Sequence, residues 1–164
     1  MPNNLSDLMK QGMRQWVSGV AIITTLDENG RPHAMTASSF TSVSDSPASI
    51  LVCINKSARM ANSLHLGKTH FCANLLSVEH EALSNLCATP DAYDQRFNQG
   101  DWDVSRTPRL NNAAAVFECV VDQLNEYGTH YVVIGRVLDV AIDARSANPL
   151  CYWDGRYRQL TQVS

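Results

Sequence analysis

The residues between positions 33 and 62 hold the pattern most suggestive of chemistry in this sequence. Thr36, Ala37, Ser38 and Ser39 set four small side chains in a strand-like run, where Val, Ile or an aromatic residue is usual. Small side chains let a ligand approach the backbone, and the hydroxyl groups both donate and accept hydrogen bonds. These four residues, called the platform below, predict a surface for a flat heteroaromatic ring. Small residues also occur where two sheets pack closely.

A phosphate site is predicted directly after the next strand. The apolar run over residues 50–54 is typical of a buried strand, and it stops at Asn55 and Ser57, two good helix N-caps. A helix starting there would direct free N–H groups and a positive dipole outward, with Lys56 and Arg59 beside them. Most capped helices bind no anion, so this pattern predicts a phosphate site only because the platform precedes it in the sequence.

Five motifs along the chain share their order with one known family. They are Gly-Val-Ala-Ile-Ile-Thr-Thr at 19–25, Met-Thr-Ala-Ser-Ser-Phe-Thr-Ser-Val-Ser at 35–44, Val-Cys-Ile-Asn at 52–55, Phe-Cys-Ala-Asn-Leu-Leu-Ser at 71–77 and Gly-Thr-His at 128–130. In this order they resemble the short-chain flavin reductases, the NAD(P)H:flavin oxidoreductases that serve two-component flavin monooxygenases such as para-hydroxyphenylacetate monooxygenase. The resemblance runs from about Gly12 to Leu160.

The resemblance implies a cofactor site made of two groups of residues. The flavin ring would contact Met35, Thr36, Ala37, Ser38 and Ser39. The ribityl chain and the phosphate would contact Cys53, Ile54, Asn55, Ser57 and Arg59, with Asn62 and Asn74 as further candidates. Many relatives carry Ser and Thr where this chain has Ala58 and Met60, so FMN and FAD both stay open as cofactors.

The resemblance also implies a place for the nicotinamide. His130 follows Gly128 and Thr129 at a predicted strand start, and in the family this position lies beside the nicotinamide, where an imidazole can stack or hydrogen-bond. Tyr152 and Tyr157 would line the same side. Taken without the resemblance, His130 fits a hairpin histidine bonded to a backbone carbonyl, and the tyrosines fit cross-strand packing. The other histidines are interpreted as surface or structural residues: His33, His65, His70 and His80.

A polar stretch over residues 89–112 predicts a long loop, and such loops in compact domains are usually functional or mobile. Its aromatic and basic residues could cover a bound ring or reach a phosphate: Tyr93, Arg96, Phe97, Trp102 and Arg106. The alternative is that Phe97 and Trp102 only anchor the loop, as most buried aromatic residues do.

The remaining pattern predicts the elements that hold these residues. Apolar stripes at helical spacing predict helices over residues 5–18, 57–66 and 79–88, and the first is expected to pack against the core. Turn residues predict hairpins at Asn29-Gly30, 125–129 and Asp154-Gly155. Strands joined by hairpins without β-α-β alternation favour a mainly β fold, an antiparallel barrel with peripheral α-helices. The resemblance implies a Greek-key-like split β-barrel, commonly a homodimer with flavin near the subunit interface.

Composition narrows the class of protein. A chain of 164 residues with 45% hydrophobic content suits one domain over residues 1–164. The net charge of −3, without a long basic cluster, argues against nucleic acid and anionic membrane as partners. Because no apolar run suits a signal peptide or a membrane span, a cytoplasmic protein is expected. Five unclustered cysteines indicate reduced thiols, without a disulfide framework or a metal site.

The sequence contains no G-x-G-x-x-G motif, so a nicotinamide would have to stack directly on the flavin. Such hydride transfer needs no protein nucleophile, because the cofactors carry the chemistry. We therefore predict an NAD(P)H-dependent reductase of free FMN or FAD, preferring NADH, that supplies a separate oxygenase acting on an aromatic compound. Two alternatives stay open: a flavin-binding storage or electron-transfer module without nicotinamide turnover, and a structural barrel without flavin.

Overall fold

The computed structural model describes residues 4–145 and 148–164. The helices and strands of this part are α1 (Leu5–Met13), β1 (Ser18–Gly19), β2 (Ala21–Leu26), β3 (Pro32–Ala37), β4 (Thr41–Asp45), β5 (Ala48–Asn55), β6 (His70–Leu75), α2 (Glu81–Ala88), β7 (Trp102–Asp103), β8 (Arg109–Leu110), β9 (Ala115–Tyr127), β10 (His130–Ile142), β11 (Leu150–Trp153) and β12 (Arg156–Gln159). Short 3₁₀ segments cover Arg59–Ser63, Val78–His80 and Pro90–Gln95. Neither helix of the described part is long and apolar enough to cross a bilayer. The single domain over residues 1–164 stays a prediction, and it includes positions 1–3 and 146–147, which lie outside the described residues.

Seven strands form one antiparallel sheet in the order β3-β2-β6-β9-β10-β5-β4. Side chains from both halves of this sheet meet in a single core, which includes Ile23, Val52, Phe71 and Val133. Gly135 of β10 lets the core close, because a Cβ there would lie 2.4 Å from Cζ of Phe71. A sheet with one face converging on one core is curved like a barrel, so the mainly β, antiparallel barrel is confirmed.

A second core lies on the outer face of β2 and β6. Because successive strand residues face opposite sides, Ile22 points into this second core while Ile23 points into the barrel. The helix α2 covers the outer face with Leu83 and Cys87. A small sheet in the order β1-β11-β12 and the β7-β8 ribbon flank the barrel. The peripheral position predicted for the helices is therefore right for α2.

The predicted first helix differs from the structure in length and in surroundings. It ends at Met13 instead of residue 18, and none of its residues is buried. Leu5 is 83% exposed, and Trp16, just beyond the helix, is 70% exposed. The expectation that this helix packs against the core is wrong for the single chain. An apolar stripe predicts that one face of a helix is buried against another surface, but it does not show which surface that is.

The α-helix predicted over residues 57–66 is also wrong, because only the 3₁₀ segment Arg59–Ser63 stands there. Oδ1 of Asn55 accepts hydrogen bonds from the backbone N–H and the hydroxyl of Ser57, both at 2.9 Å. Such a bond closes a tight turn, and Ala58 then continues in extended conformation. Asn and Ser favour these turns as much as helix starts, so the local pattern was ambiguous.

The three predicted hairpins are confirmed, although their turns differ in length. Asp154 and Gly155 both have positive φ, at 50° and 72°, which is the two-residue turn that Asp-Gly favours. The hairpin at Asn29-Gly30 has a longer loop, in which Oδ1 of Asp27 accepts from the N–H groups of Asn29 and Arg31 at 2.9 Å each. Hydrogen bonds to the Asp27 carboxylate therefore stabilise a longer loop in place of the two-residue turn expected there.

Candidate functional site

The platform lies at the surface where three hollows meet. β3 ends at Ala37, whose side chain turns into the barrel core and is 7% exposed. Its neighbours Thr36 and Ser38 face outward, because side chains alternate along a strand. The hollows measure about 560, 350 and 590 Å³; Thr36 lines the first and second, and Ser38 lines the second and third. The small residues of the platform therefore connect three separate surfaces.

The first hollow, called the arginine end, is defined by Asn55, Ser57, Arg59, Tyr93 and Arg96. The end of β5 and the turn after it supply the first three residues, and the loop after α2 supplies the other two. The predicted phosphate site used the N-terminus of a helix over residues 57–66, but only the short 3₁₀ segment Arg59–Ser63 lies there. Two guanidinium groups stand near the predicted position instead. Positive side chains, and not a helix dipole, make this hollow suited to an anion.

Arg96 is the most unusual residue of the arginine end, because it is a charged side chain with only 6% exposure. Its Nη1 donates to the carbonyl of Ala34 at 2.5 Å, and its Nη2 donates to the carbonyl of Thr89 at 3.2 Å. Its Nε has no partner, and Arg96 forms no ion pair with any described carboxylate. Burial lowers the pKa of Arg96, and the like charge of Arg59 lowers it further. A buried cation without a counter-charge favours an anion.

The third hollow, called the histidine end, is defined by Ser39, His130, Tyr152 and the α1 residues Met9 and Met13. His130 opens β10, and its Cα pairs with that of Asn55 across the β5-β10 ladder. Its Nδ1 lies 2.8 Å from the hydroxyl of Thr129, so the ring is held at the strand start.

The second hollow lies between the two ends and includes Tyr157. The hydroxyl of Thr36 donates to the Ser84 carbonyl at 2.6 Å, and the hydroxyl groups of Ser84 and Tyr157 are 2.7 Å apart. Burial raises the pKa of Tyr157, so its hydroxyl keeps its proton. The rings of Tyr157 and Tyr152 meet edge to face at 5.4 Å. The platform is thereby tied to both α2 and the final hairpin.

Two predicted contact residues have side chains that are closed to any ligand. Asn74 is fully buried, where its Nδ2 donates to the Ile22 carbonyl at 2.9 Å and its Oδ1 accepts from the Leu110 N–H at 2.8 Å. Ile54 is 1% exposed inside the barrel core. Burial therefore leaves only the backbone of these two residues for a flavin, and their role as cofactor contacts stays a prediction.

Three further residues stand beside the hollows without lining them. Cys53 is half-buried, and its backbone N–H donates to the hydroxyl of Ser39 at 3.0 Å, which joins the platform to β5. Asn62 is exposed and lies outside the residues that line the arginine end. Lys56 pairs with Glu126 near β10 and so does not accompany Arg59.

Some residues of the long loop line the candidate site, and others anchor the loop to the rest of the fold. Tyr93 and Arg96 line the arginine end. Phe97 and Trp102 pack together, with ring centroids 5.1 Å apart, against the second core, so they anchor the loop. Arg106 lies 3.5 Å from Glu118, away from the hollows. Sequence spacing could not separate these residues, because each role depends on where the loop folds back.

Comparison with known proteins identifies the family. A family model described as a flavin reductase like domain matches residues 13–161. The chain belongs to the flavin reductase-like family. The resemblance of its sequence motifs is thereby confirmed.

One relative and two solved structures extend this match across the chain. A relative from Ancylobacter novellus, named FMN reductase (NADH) RutF, is 37% identical over 150 residues, which cover 90% of this chain and 81% of the relative. BorF, the flavin reductase component of a bacterial two-component tryptophan halogenase, is 31% identical with a TM-score of 0.82, covering 96% of this chain and 99% of BorF. The styrene monooxygenase flavin reductase SMOB from Pseudomonas putida S12 is 26% identical with a TM-score of 0.83, covering 94% of this chain and 98% of SMOB. This flavin reductase is therefore an NAD(P)H:flavin oxidoreductase.

Proposed function

We propose that this flavin reductase uses NADH to reduce free FMN or FAD and passes the reduced flavin to a separate oxygenase acting on an aromatic compound. The observation that carries the proposal is the platform shared by a hollow with two cations and a hollow with His130. A flavin phosphate at the arginine end and a nicotinamide at the histidine end would bring two rings together over Thr36 and Ser38.

The residues of this chain fit a phosphorylated flavin. Arg96 offers a buried guanidinium whose Nε has no partner, and Arg59 offers a second guanidinium, with a side chain that is 57% exposed. Met35 and the small residues of the platform leave a surface on which a flat ring can lie. Asn55 and Ser57 reach the same hollow and suit the hydroxyl groups of a ribityl chain.

The protein contributes position and not a reacting group. Hydride transfer from nicotinamide C4 to flavin N5 is the chemistry that the cofactors supply when bound. The hydroxyl of Thr36 gives its one proton to the Ser84 carbonyl, so it can only accept from a ligand. His130, held at Thr129, offers an imidazole for orienting the nicotinamide, and Tyr152 walls the same hollow.

The choice of cofactors and of oxygenase draws its support from the relatives. The Ancylobacter novellus relative is named for FMN and NADH, which favours that pair here. BorF serves a tryptophan halogenase, and SMOB belongs to a styrene monooxygenase. Tryptophan and styrene are both aromatic, which supports an aromatic substrate for the partner oxygenase.

We further propose a cytoplasmic homodimer. The exposed apolar residues of α1 stand at the border of the histidine end, so a second copy covering them would also close that hollow. All five cysteines are free thiols, which suits a reducing compartment.

Anaerobic NADH oxidation at fixed enzyme, with FMN, FAD and riboflavin titrated in turn, tests the reductase. We expect saturable NADH loss that depends on added flavin, with a higher rate for FMN than for riboflavin. Tight flavin binding without loss of NADH or NADPH would contradict the proposed reductase activity and favour a flavin-binding module.

The partner is tested by supplying an aromatic monooxygenase with this reductase as its only source of reduced flavin, beside a monooxygenase of a non-aromatic substrate.

A further inference from the structure

Tyr93 lies beside both cations of the arginine end. Cζ of Arg59 is 4.3 Å from the centroid of the Tyr93 ring, and Cζ of Arg96 is 4.4 Å from it. Both distances are within the range of a cation–π contact. One ring therefore contacts two like charges, which repel one another.

The ring of Tyr93 is itself held by a chain of hydrogen bonds from the first hairpin. Its hydroxyl contacts Nδ1 of His33, and Nε2 of His33 lies 3.1 Å from Oδ2 of Asp27. His33, the middle member of this series of hydrogen bonds, is 6% exposed and so is shielded from water. Neither His33 nor Asp27 lines the arginine end.

Which groups donate and which accept in this series of hydrogen bonds follows from its two end members, Asp27 and Tyr93. A backbone hydrogen bond from Arg31 is the main cause that lowers the pKa of Asp27, and the His33 side chain adds to it, so this carboxylate can only accept. Burial raises the pKa of Tyr93, so its hydroxyl keeps a proton to donate. In a neutral imidazole, Nε2–H then donates to Asp27, and Nδ1 accepts from Tyr93.

We propose that Tyr93, anchored through His33 to Asp27, is a positioning residue that sets the separation of Arg59 and Arg96 for binding the phosphate of a flavin. The proposal rests on the proposed flavin reductase function. A phosphate between the two guanidinium groups would offset their repulsion. Asp94, 3.7 Å from Arg59, is an exposed competitor that the phosphate would displace from that cation.

The test measures flavin affinity without NADH, by flavin fluorescence, for the wild-type protein, Tyr93→Leu and Tyr93→Phe. Loss of the ring removes both cation contacts, so Tyr93→Leu should weaken FMN binding roughly 5- to 30-fold while riboflavin binding changes by less than about twofold. Tyr93→Phe keeps the ring and loses the link to His33, so a smaller loss confined to FMN is expected. Tyr127→Leu, at an 81% exposed tyrosine of the β9-β10 hairpin, is the matched control and should leave both affinities unchanged.

Three results would overturn this proposal alone. Equal losses for FMN and riboflavin in both Tyr93 variants would make the ring a packing wall for the whole flavin. Unchanged FMN binding in both variants would show that the cations need no such support. In steady-state kinetics of the same variants, a raised KM for NADH with unchanged FMN affinity would show that the arginine end holds a phosphate of the nicotinamide dinucleotide instead. A wild-type protein that binds neither flavin would instead overturn the proposed function, and this proposal with it.

Discussion

The arginine end and the histidine end share one platform but are built in different ways. The arginine end is held from within the chain, since Arg96 is buried and bonds to the carbonyls of Ala34 and Thr89. The histidine end is bordered by α1, in which no residue is buried. One end is therefore shaped by the barrel and its long loop, whereas the other borders an uncovered apolar face.

Because of this difference, we expect the arginine end to serve flavin binding and the histidine end to serve the use of NADH. A preformed anion site loses little freedom on binding, so the flavin phosphate can be held by a single subunit. A site bordered by exposed apolar side chains gains its final shape only when another surface covers them. We therefore expect changes at the arginine end to act on flavin affinity alone, and changes at α1 or His130 to act on the use of NADH.

The largest effect is expected for Arg96→Gln. Hydrogen bonds to a charged group contribute about 1.5–3 kcal/mol, so FMN affinity should fall roughly 10- to 100-fold, with riboflavin affinity far less affected. Isothermal titration with each flavin measures both. Arg106→Gln removes an arginine that pairs with Glu118 outside the hollows, and it should leave FMN affinity unchanged. A similar loss in both arginine variants would point to net charge and not to the arginine end.

The next effect concerns the helix α1. Leu8→Glu places a charge on a residue that is 51% exposed in the single chain. If a second copy covers it, losing about 1 kcal/mol of apolar burial per subunit, or about 2 kcal/mol per dimer, should raise the dimer dissociation constant roughly 30-fold. Light scattering across protein concentrations measures this, and FMN affinity should stay within about twofold.

The matched control for α1 is Gln11→Glu, which adds the same charge to an exposed polar residue of the helix. It should leave the oligomeric state as it is. If Leu8→Glu also left both the oligomeric state and NADH use unchanged, the contrast between the two ends would lose its basis.

A smaller effect is expected for His130→Ala. One hydrogen bond or stacking contact contributes about 0.5–1.5 kcal/mol, so KM for NADH should rise roughly 2- to 10-fold while FMN affinity is spared. Steady-state kinetics with both substrates varied separates the two, and His130→Gln should restore part of the loss. His65→Ala, at a partly exposed histidine beside Glu28, is the control. Equal losses of flavin and NADH binding would place His130 within the flavin site instead.

The last prediction is that the Cys87 thiol at the arginine end does not react with an alkylating reagent. Cys87 lines that hollow, but it is 1% exposed and burial raises its pKa to about 12. A short pulse of iodoacetamide near pH 8 should therefore leave Cys87 unlabelled, because the thiolate is the nucleophile. Peptide mass spectrometry checks this against urea-unfolded protein, in which all five thiols should react. Rapid labelling of Cys87 in the folded protein would show that the arginine end opens.

Local patterns in the sequence predicted the hairpins and the buried strands well. Asp154-Gly155 encodes its own turn, because both positions need positive φ. The small platform residues were also found from the sequence, since the absence of bulk at 36–39 is a property of the residues themselves. The helix predicted over 57–66 failed because Asn55 and Ser57 favour a turn as readily as a helix cap.

The family, the antiparallel barrel and the small-residue platform could all be predicted from the amino-acid sequence, because neighbouring residues or motifs in order carry each of them. Which distant side chains meet depends on how the chain folds. His33 and Tyr93 are 60 positions apart, so no local pattern could join them. Asn74 and Arg96 are both polar residues with almost no exposure. The fold satisfies the amide of Asn74 but leaves the Nε of Arg96 without a partner, and that difference depends on burial and contacts that exist only once the chain has folded.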